Sequence, residues 1–193
     1  KKTGLRAATG KYIGYVDSDD WIEANMYEEL LAAFADKKAD IAMCGRFEDN
    51  EDSSRKVYHG LPTGIYDKQG LRERIYPGMI VNREFFEWGI FPSVWDKLFR
   101  REALEPFQMA VDERLTMGED AACTFPALLH AESIAVLDKC LYHYRQNQVS
   151  MVRRRGRKEE ERERFGILYR TVLHSLKQGM EIYDLTEQWK KYL

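Results

Sequence analysis

The residues best equipped for chemistry stand together near the start of the chain: Asp17, Asp19 and Asp20, in the run Asp17-Ser18-Asp19-Asp20-Trp21. Carboxylates crowded this closely repel one another and resist burial. A divalent cation relieves both difficulties, because hard ions such as magnesium or manganese take carboxylate oxygens. The plainer reading is an acidic turn that caps the next helix, since Asp and Ser are common there. A second candidate lies at Thr116-Met117-Gly118-Glu119-Asp120. Thr116 and Glu119 have the spacing of a capping box, in which each side chain satisfies the other's backbone amide. That assignment occupies Glu119 and leaves the Asp120 side chain free in the first helical turn. The helix dipole there favours an ionised carboxyl, and a general base must be ionised to accept a proton. Standing alone, an Asp in a first turn is simply a favourable charge.

The elements that must position these residues follow from hydrophobic pattern. Thr3 to Thr9 reads as the end of a helix, with Gly10 just past it. Tyr12-Ile13-Gly14-Tyr15-Val16 carries no charge and predicts a short strand buried on both faces, with the carboxylates at its end. Met26, Tyr27, Leu30, Leu31 and Phe34 predict an amphipathic helix over 23–36. Ile41-Ala42-Met43-Cys44 lies within a second buried strand over 40–47. Strand, helix, strand is the grammar of an α/β sheet with a crossover. Residues 48–55 read as an exposed polar loop, and Asp67 as the cap of a helix running to about Tyr76. Residues 77–93 have no clean period and receive no assignment. The helix after Gly118 continues through Ala121, Ala122, Phe125, Leu128 and Leu129, where Pro126 removes one hydrogen bond and predicts a kink. Residues 134–145 predict another strand. A long amphipathic helix follows from Phe165 to Met180, then a short final helix containing Trp189.

Residues 2–21 resemble the middle of a family-2 glycosyltransferase of the GT-A fold. In that family a helix ends in Ala-x-Gly, here Ala8-Thr9-Gly10; a hydrophobic strand follows and Asp-x-Asp closes it. One departure is Lys1-Lys2, where the family usually has Arg-Asn. The resemblance implies an α/β, GT-A-like fold, N-terminally truncated, with C-terminal helices. Residues 1–150 would be the C-terminal part of the catalytic domain and 151–193 a helical extension. By the same resemblance Asp17 contacts the nucleotide, Asp19 holds the metal, and the second Asp of Glu119-Asp120 is the base that deprotonates the acceptor hydroxyl.

Further motifs extend the resemblance. Val94-Trp95-Asp96-Lys97-Leu98 followed by Arg100-Arg101 is similar to the family's Trp-Asn-Lys-Leu with its Arg pair, with Asp96 in place of Asn. A Trp95 face could stack on a sugar ring and Lys97 could meet a phosphate. A core Trp beside a solvated Lys is the alternative. Tyr142-His143-Tyr144-Arg145 before Ser150 is also familiar in the family. His143 could serve as a further metal ligand, since imidazole suits manganese, or simply pack in its strand. Arg153, Arg154 and Arg155 form a basic cluster that could grip a diphosphate or touch an anionic membrane surface, or be a solvated loop.

Composition sets the outer bounds. The chain has 193 residues, 44% hydrophobic and 12% aromatic, and a net charge of −2, which excludes a global field for nucleic acid or membrane. That length suits one domain burying about 70% of its unfolded surface. Cys44, Cys123 and Cys140 suit reduced, buried thiols. No signal peptide or membrane-spanning run is visible, and a cytoplasmic protein, peripheral at the inner membrane face through its basic cluster, is the expectation. The resemblance implies an inverting transfer from a nucleotide-sugar donor, UDP-linked above all, with manganese or magnesium as cofactor. The acceptor would be a hydroxyl of a glycan or lipid-linked carrier in bacterial surface polysaccharide synthesis. Two other classes stay open: a non-catalytic acceptor-binding or interaction module, and a sugar-nucleotide pyrophosphorylase.

Overall fold

The computed structural model describes residues 1–37, 39–81, 88–115, 118–146 and 158–192. Helix α1 (Lys2–Ala7) leads into strand β1 (Tyr12–Gly14); the acidic turn follows, then β2 (Trp21–Ile22) and helix α2 (Met26–Lys37). Met26, Leu30 and Phe34 are buried, the recurrence that lays one stripe of α2 on the sheet. Strands β3 (Ile41–Asp49) and β4 (Ser54–Val57) form a hairpin, and β5 (Gly64–Asp67) leads to α3 (Lys68–Gly70). The Asp67 carboxylate caps α3 by accepting from the Gly70 N–H at 2.9 Å, as its residue type predicts. Strand β6 (Lys97–Arg100) runs directly into α4 (Arg101–Ala110). Helix α5 (Glu119–His130), the long strand β7 (Ser133–Arg145), α6 (Lys158–Lys177) and α7 (Thr186–Tyr192) complete the described chain.

The strands form one mixed sheet in the order β1-β6-β3-β7-β2, with β4 paired to β3 and β5 to β7. At its centre β3 runs parallel to β7, from Ile41 opposite Ile134 to Asp49 opposite Arg145. Register shifts around Gly45 absorb the extra residues of β7. A Cβ on Gly45 would lie 2.8 Å from the Cys140 sulfur and 2.9 Å from the Val57 oxygen, so only glycine fits there. Both faces of the central strands are covered, which is why Ile41 to Cys44 is wholly apolar. Ile41 and Met43 join the core formed with Phe125, Leu128 and Leu129 of α5. Ala42 and Cys44 face the core formed with Met26, Leu30 and Phe34 of α2. Leu168, Val172, Leu176, Leu185 and Trp189 belong to the same buried cluster as α5, so the helices α6 and α7 share their core with the sheet. No described helix is long and apolar enough to cross a membrane.

Three expectations are corrected. The uncharged run 12–16 is strand only to Gly14, and of its residues only Ile13 is buried; Val16 is 45% exposed. β1 has one partner, β6, so it lacks the two flanking strands that would enclose it. The exposed loop expected over 48–55 is confined to 50–53: β3 continues to Asp49 and β4 begins at Ser54. All of β4 but Val57 is exposed, so no apolar alternation marks it. Helix α5 starts at Glu119, with Gly118 before it in the left-handed conformation at φ 80°. This places Glu119 at the first helical position, where it cannot complete the anticipated capping box; Thr116 lies outside the described residues. A Cβ on Gly118 would lie 2.3 Å from Leu168 Cδ1, so glycine also lets α6 close against this corner.

Candidate active site

The acidic turn closes on itself through the Asp20 N–H, which donates to the Asp17 carbonyl at 3.1 Å. The rest of its support comes from β7. The Tyr142 hydroxyl accepts from the Asp17 N–H at 3.1 Å and donates to Asp20 Oδ2 at 2.8 Å. The Arg145 N–H donates to Asp20 Oδ1 at 2.8 Å. Immediately beyond, β2 pairs with β7 with Trp21 opposite His143. Burial raises the Asp20 pKa; the bonds from Arg145 and Tyr142 pull it down, the charges of Asp19 and Asp17 push it up again, and the net direction is upward.

That crowding bears on whether a cation suits the turn. Both Asp20 oxygens accept hydrogen bonds from β7, so Asp20 is built into the shape of the turn; Asp17 and Asp19 are its other two carboxylates. Among the described residues no group of three His, Cys, Asp or Glu side chains gathers as a ligand set. Two hard oxygen donors in a negative field fit an ion that keeps waters and takes phosphate oxygens, as magnesium does, and do not form a closed protein cage.

The first turn of α5 faces the same region. Lys1 Nζ donates to Glu119 Oε1 at 2.8 Å and also to Asp120 Oδ1. Asp120 is therefore not free, as the sequence suggested, but ion-paired. Burial raises its pKa most; Lys1 opposes this, Glu119 and Asp17 add to it, and the net direction is upward. Burial thus outweighs the helix dipole that was expected to keep it ionised. The charge of Asp17 is the smallest of these influences on Asp120. For Lys1 burial pulls the pKa down, but the charges and hydrogen bonds of Asp120 and Glu119 prevail and raise it. Tyr15 adjoins this pair: burial, with Cys123 and Asp120 adding to it, pushes its hydroxyl to about 12. Burial likewise pushes the Cys123 thiol to about 12, so that sulfur is not a nucleophile.

The other predicted residues lie elsewhere. Lys97 is fully buried, and its ammonium donates to the Phe91 oxygen, the Ser93 oxygen and Asp96 Oδ1, each at 2.7 Å. All three of its protons have takers, so the anticipated phosphate contact is corrected to an internal tie. Trp95 is 5% exposed, with its ring 4.3 Å from that of Tyr142 and 5.5 Å from that of Tyr144, both stacked. Its expected sugar-stacking face is taken by the protein. His143 is stacked between Trp21 and Phe47. Its ring nitrogens meet Asp49 at 2.7 Å and Glu23 at 3.1 Å. The alternation of β7 directs it away from Tyr142 and hence from the residues that hold the acidic turn. Arg153, Arg154 and Arg155 lie outside the described residues. Sequence reasoning missed Tyr142 and Lys1. The signal for Tyr142 was its place one residue from His143 in a strand; for Lys1 it was the Lys1-Lys2 departure from the family pattern.

A metal-suited acidic turn at the end of one strand and a half-buried acid on a neighbouring helix, in a mixed α/β sheet, define a fold of the GT-A glycosyltransferase type. The TarS structure of Staphylococcus aureus matches it with a TM-score of 0.65 at 19% identity, covering 97% of this chain and 49% of that one. TarS in complex with UDP-GlcNAc matches at 0.64 and 17% identity, covering 97% and 51%. Residues 1–107 match Glycosyl transferase family 2, and the chain belongs to that family. The uncharacterized glycosyltransferase EpsJ of Bacillus subtilis is 31% identical over 78% of this chain and 42% of its own length. Glycosyltransferase GlyA of Streptococcus pneumoniae is 29% identical over 79% of this chain and 21% of its own length. The chain thus spans about half or less of these proteins.

Proposed function

We propose that this chain carries the diphosphate end and the base of a glycosyltransferase that moves a sugar from a UDP-linked donor to a hydroxyl of a glycan or lipid-linked acceptor, with inversion. The observation that carries the reading is a pair of tied acidic groups: the Asp17–Asp20 turn held by Tyr142 and Arg145 of β7, and Asp120 held by Lys1 at the start of α5. Asp17 and Asp19 would hold a divalent cation, which when bound neutralises charge on the departing diphosphate. Asp120 takes the proton of the attacking hydroxyl. Its raised pKa makes it a stronger base than an exposed carboxylate, which suits that task. Lys1 orients Asp120 through their ion pair, and Glu119 shares Lys1 and holds it at the site. The complex of TarS with UDP-GlcNAc supports a UDP-sugar donor, and the glycosyltransferases named above support transfer of a sugar.

The test is calorimetry of UDP binding with and without manganese, together with transfer assays, on the whole protein and its Asp19→Ala variant. The variant should lose metal-dependent binding and turnover. Unchanged binding and turnover would reduce the acidic run to a turn.

A further inference from the structure

We propose that Tyr142, clamped by Trp95, is the residue that positions Asp17 and Asp19 for the cation, and that Asp20 is its anchor and not a ligand. The inference rests on the reading just given, that the acidic turn holds a divalent cation. A hydroxyl can accept and donate at once, and Tyr142 uses both capacities on the same turn. It accepts from the Asp17 N–H at 3.1 Å and donates to Asp20 Oδ2 at 2.8 Å. One oxygen atom therefore ties the two ends of the turn, and Asp19 lies in the span between them. Asp20 is committed on its other side as well, through the Arg145 N–H at 2.8 Å. A carboxylate with both oxygens so engaged serves the turn's shape.

The tyrosine is itself held. Its ring is fully buried and stacks on the Trp95 indole at 4.3 Å and 22°. Trp95 belongs to the segment whose Phe91 and Ser93 carbonyls accept from Lys97. A rigid path thus runs from the interior to the turn: Lys97, the 91–95 segment, Trp95, Tyr142, Asp17 and Asp20. It gives Trp95 and Lys97 a role at the site although neither reaches a substrate. The turn needs such support, because its carboxylates repel one another until a cation arrives.

The experiment is a manganese titration of the whole protein in the presence of UDP, read by the loss of the free-ion paramagnetic resonance signal. Transfer assays across manganese concentration accompany it. Tyr142→Phe keeps the ring on Trp95 and removes only the hydroxyl. It should raise the manganese dissociation constant about tenfold, the worth of a hydrogen bond to a charged group. At saturating manganese its kcat should stay within about threefold of wild type, because the metal restores the geometry. Asp20→Asn keeps an oxygen for Arg145 and gives up the carboxylate acceptor of Tyr142. It should weaken manganese binding to a similar degree without abolishing it, and it carries the test alone if Tyr142→Phe fails to fold. Asp19→Ala should abolish binding. If Asp19→Ala abolishes binding while Tyr142→Phe titrates like wild type, the positioning role is overturned and the cation reading stands. If Asp20→Asn is as dead as Asp19→Ala, Asp20 is a ligand and the assignment of an anchor is overturned. If Asp19→Ala still binds manganese normally, the cation reading itself is lost, and the positioning role with it.

Discussion

Lys97 and Lys1 both meet carboxylates, under opposite conditions. Lys97 and Asp96 are shut away from solvent, and three oxygens at 2.7 Å take the ammonium's protons. His59 completes that cluster in its neutral form: the Phe91 N–H donates to Nδ1, and Nε2 donates to the Cys44 oxygen at 3.1 Å. Burial holds the His59 pKa down at about 4, against the pull of Asp96. At Lys1 the acids outnumber the base. Lys1 faces Glu119 and Asp120, the charge of Asp17 reaches Asp120, and the side chains keep partial contact with solvent. A saturated cluster fixes structure, because every change leaves a buried group without a partner. A cluster with surplus charge and an opening to solvent retains capacity for a ligand or a proton.

The sharpest way to break this contrast is Asp120→Asn in the whole protein. Transfer should fall by about two to four orders of magnitude, the usual worth of a positioned proton acceptor. Stability should not fall with it. The Asp120 pKa is raised on folding, so its contribution favours the fold below the unfolded carboxyl pKa and is lost as pH rises through the folded value. Asparagine cannot ionise, so the variant does not lose that contribution as pH rises, and thermal melts should place it at or above wild type.

Lys97→Met should do the reverse. It leaves Asp96 buried and unpaired, and urea unfolding should show a loss of about 3–5 kcal/mol. A loss below 1 kcal/mol would contradict the saturated picture. The His59 contribution is tested by pH. Its folded pKa of about 4 lies below the ordinary 6.5. Its stabilisation is therefore present above 6.5 and lost as pH falls toward 4, up to roughly 3 kcal/mol. His59→Gln should flatten the dependence of the urea midpoint on pH across that window. The smallest effect is expected at Gly118→Ala, which strains a left-handed residue and meets Leu168. A loss of about 1–3 kcal/mol should appear in melts.

What could be read from the sequence divides along the same line. The α2 stripe and the Ile41–Cys44 strand were legible because each repeats with the period of its element. Asp17, Asp19 and Asp120 were legible as candidates because carboxylates in number, or at a helix start, announce themselves by type. The fate of Lys97 was not legible. It depends on carbonyls of Phe91 and Ser93, and no residue type reports where a backbone oxygen points. The β4 strand was missed because an exposed edge strand has no apolar face to show. The anticipated capping box failed because Gly118, in its left-handed conformation, stands directly before the helix and puts Glu119 at its first position. Tyr142 was legible as part of a familiar motif but not in its role; only the arrival of Asp17 and Asp20 beside it gives its hydroxyl a purpose.

The contact between Tyr142 and the acidic turn spans 125 residues, and this has a kinetic consequence. Contacts of such separation form late, since the entropy of closing a long loop must be met before they stabilise anything. β7 has to align with β3 along its length before Tyr142 stands opposite the turn, and a slip of one residue would present His143 in its place. Aspartates close together in the sequence are therefore shaped by a tyrosine that the folding chain delivers late. In a refolding experiment, the affinity of the turn for manganese should emerge after the signal from buried α2, and its rate should follow the closure of the β3–β7 pair.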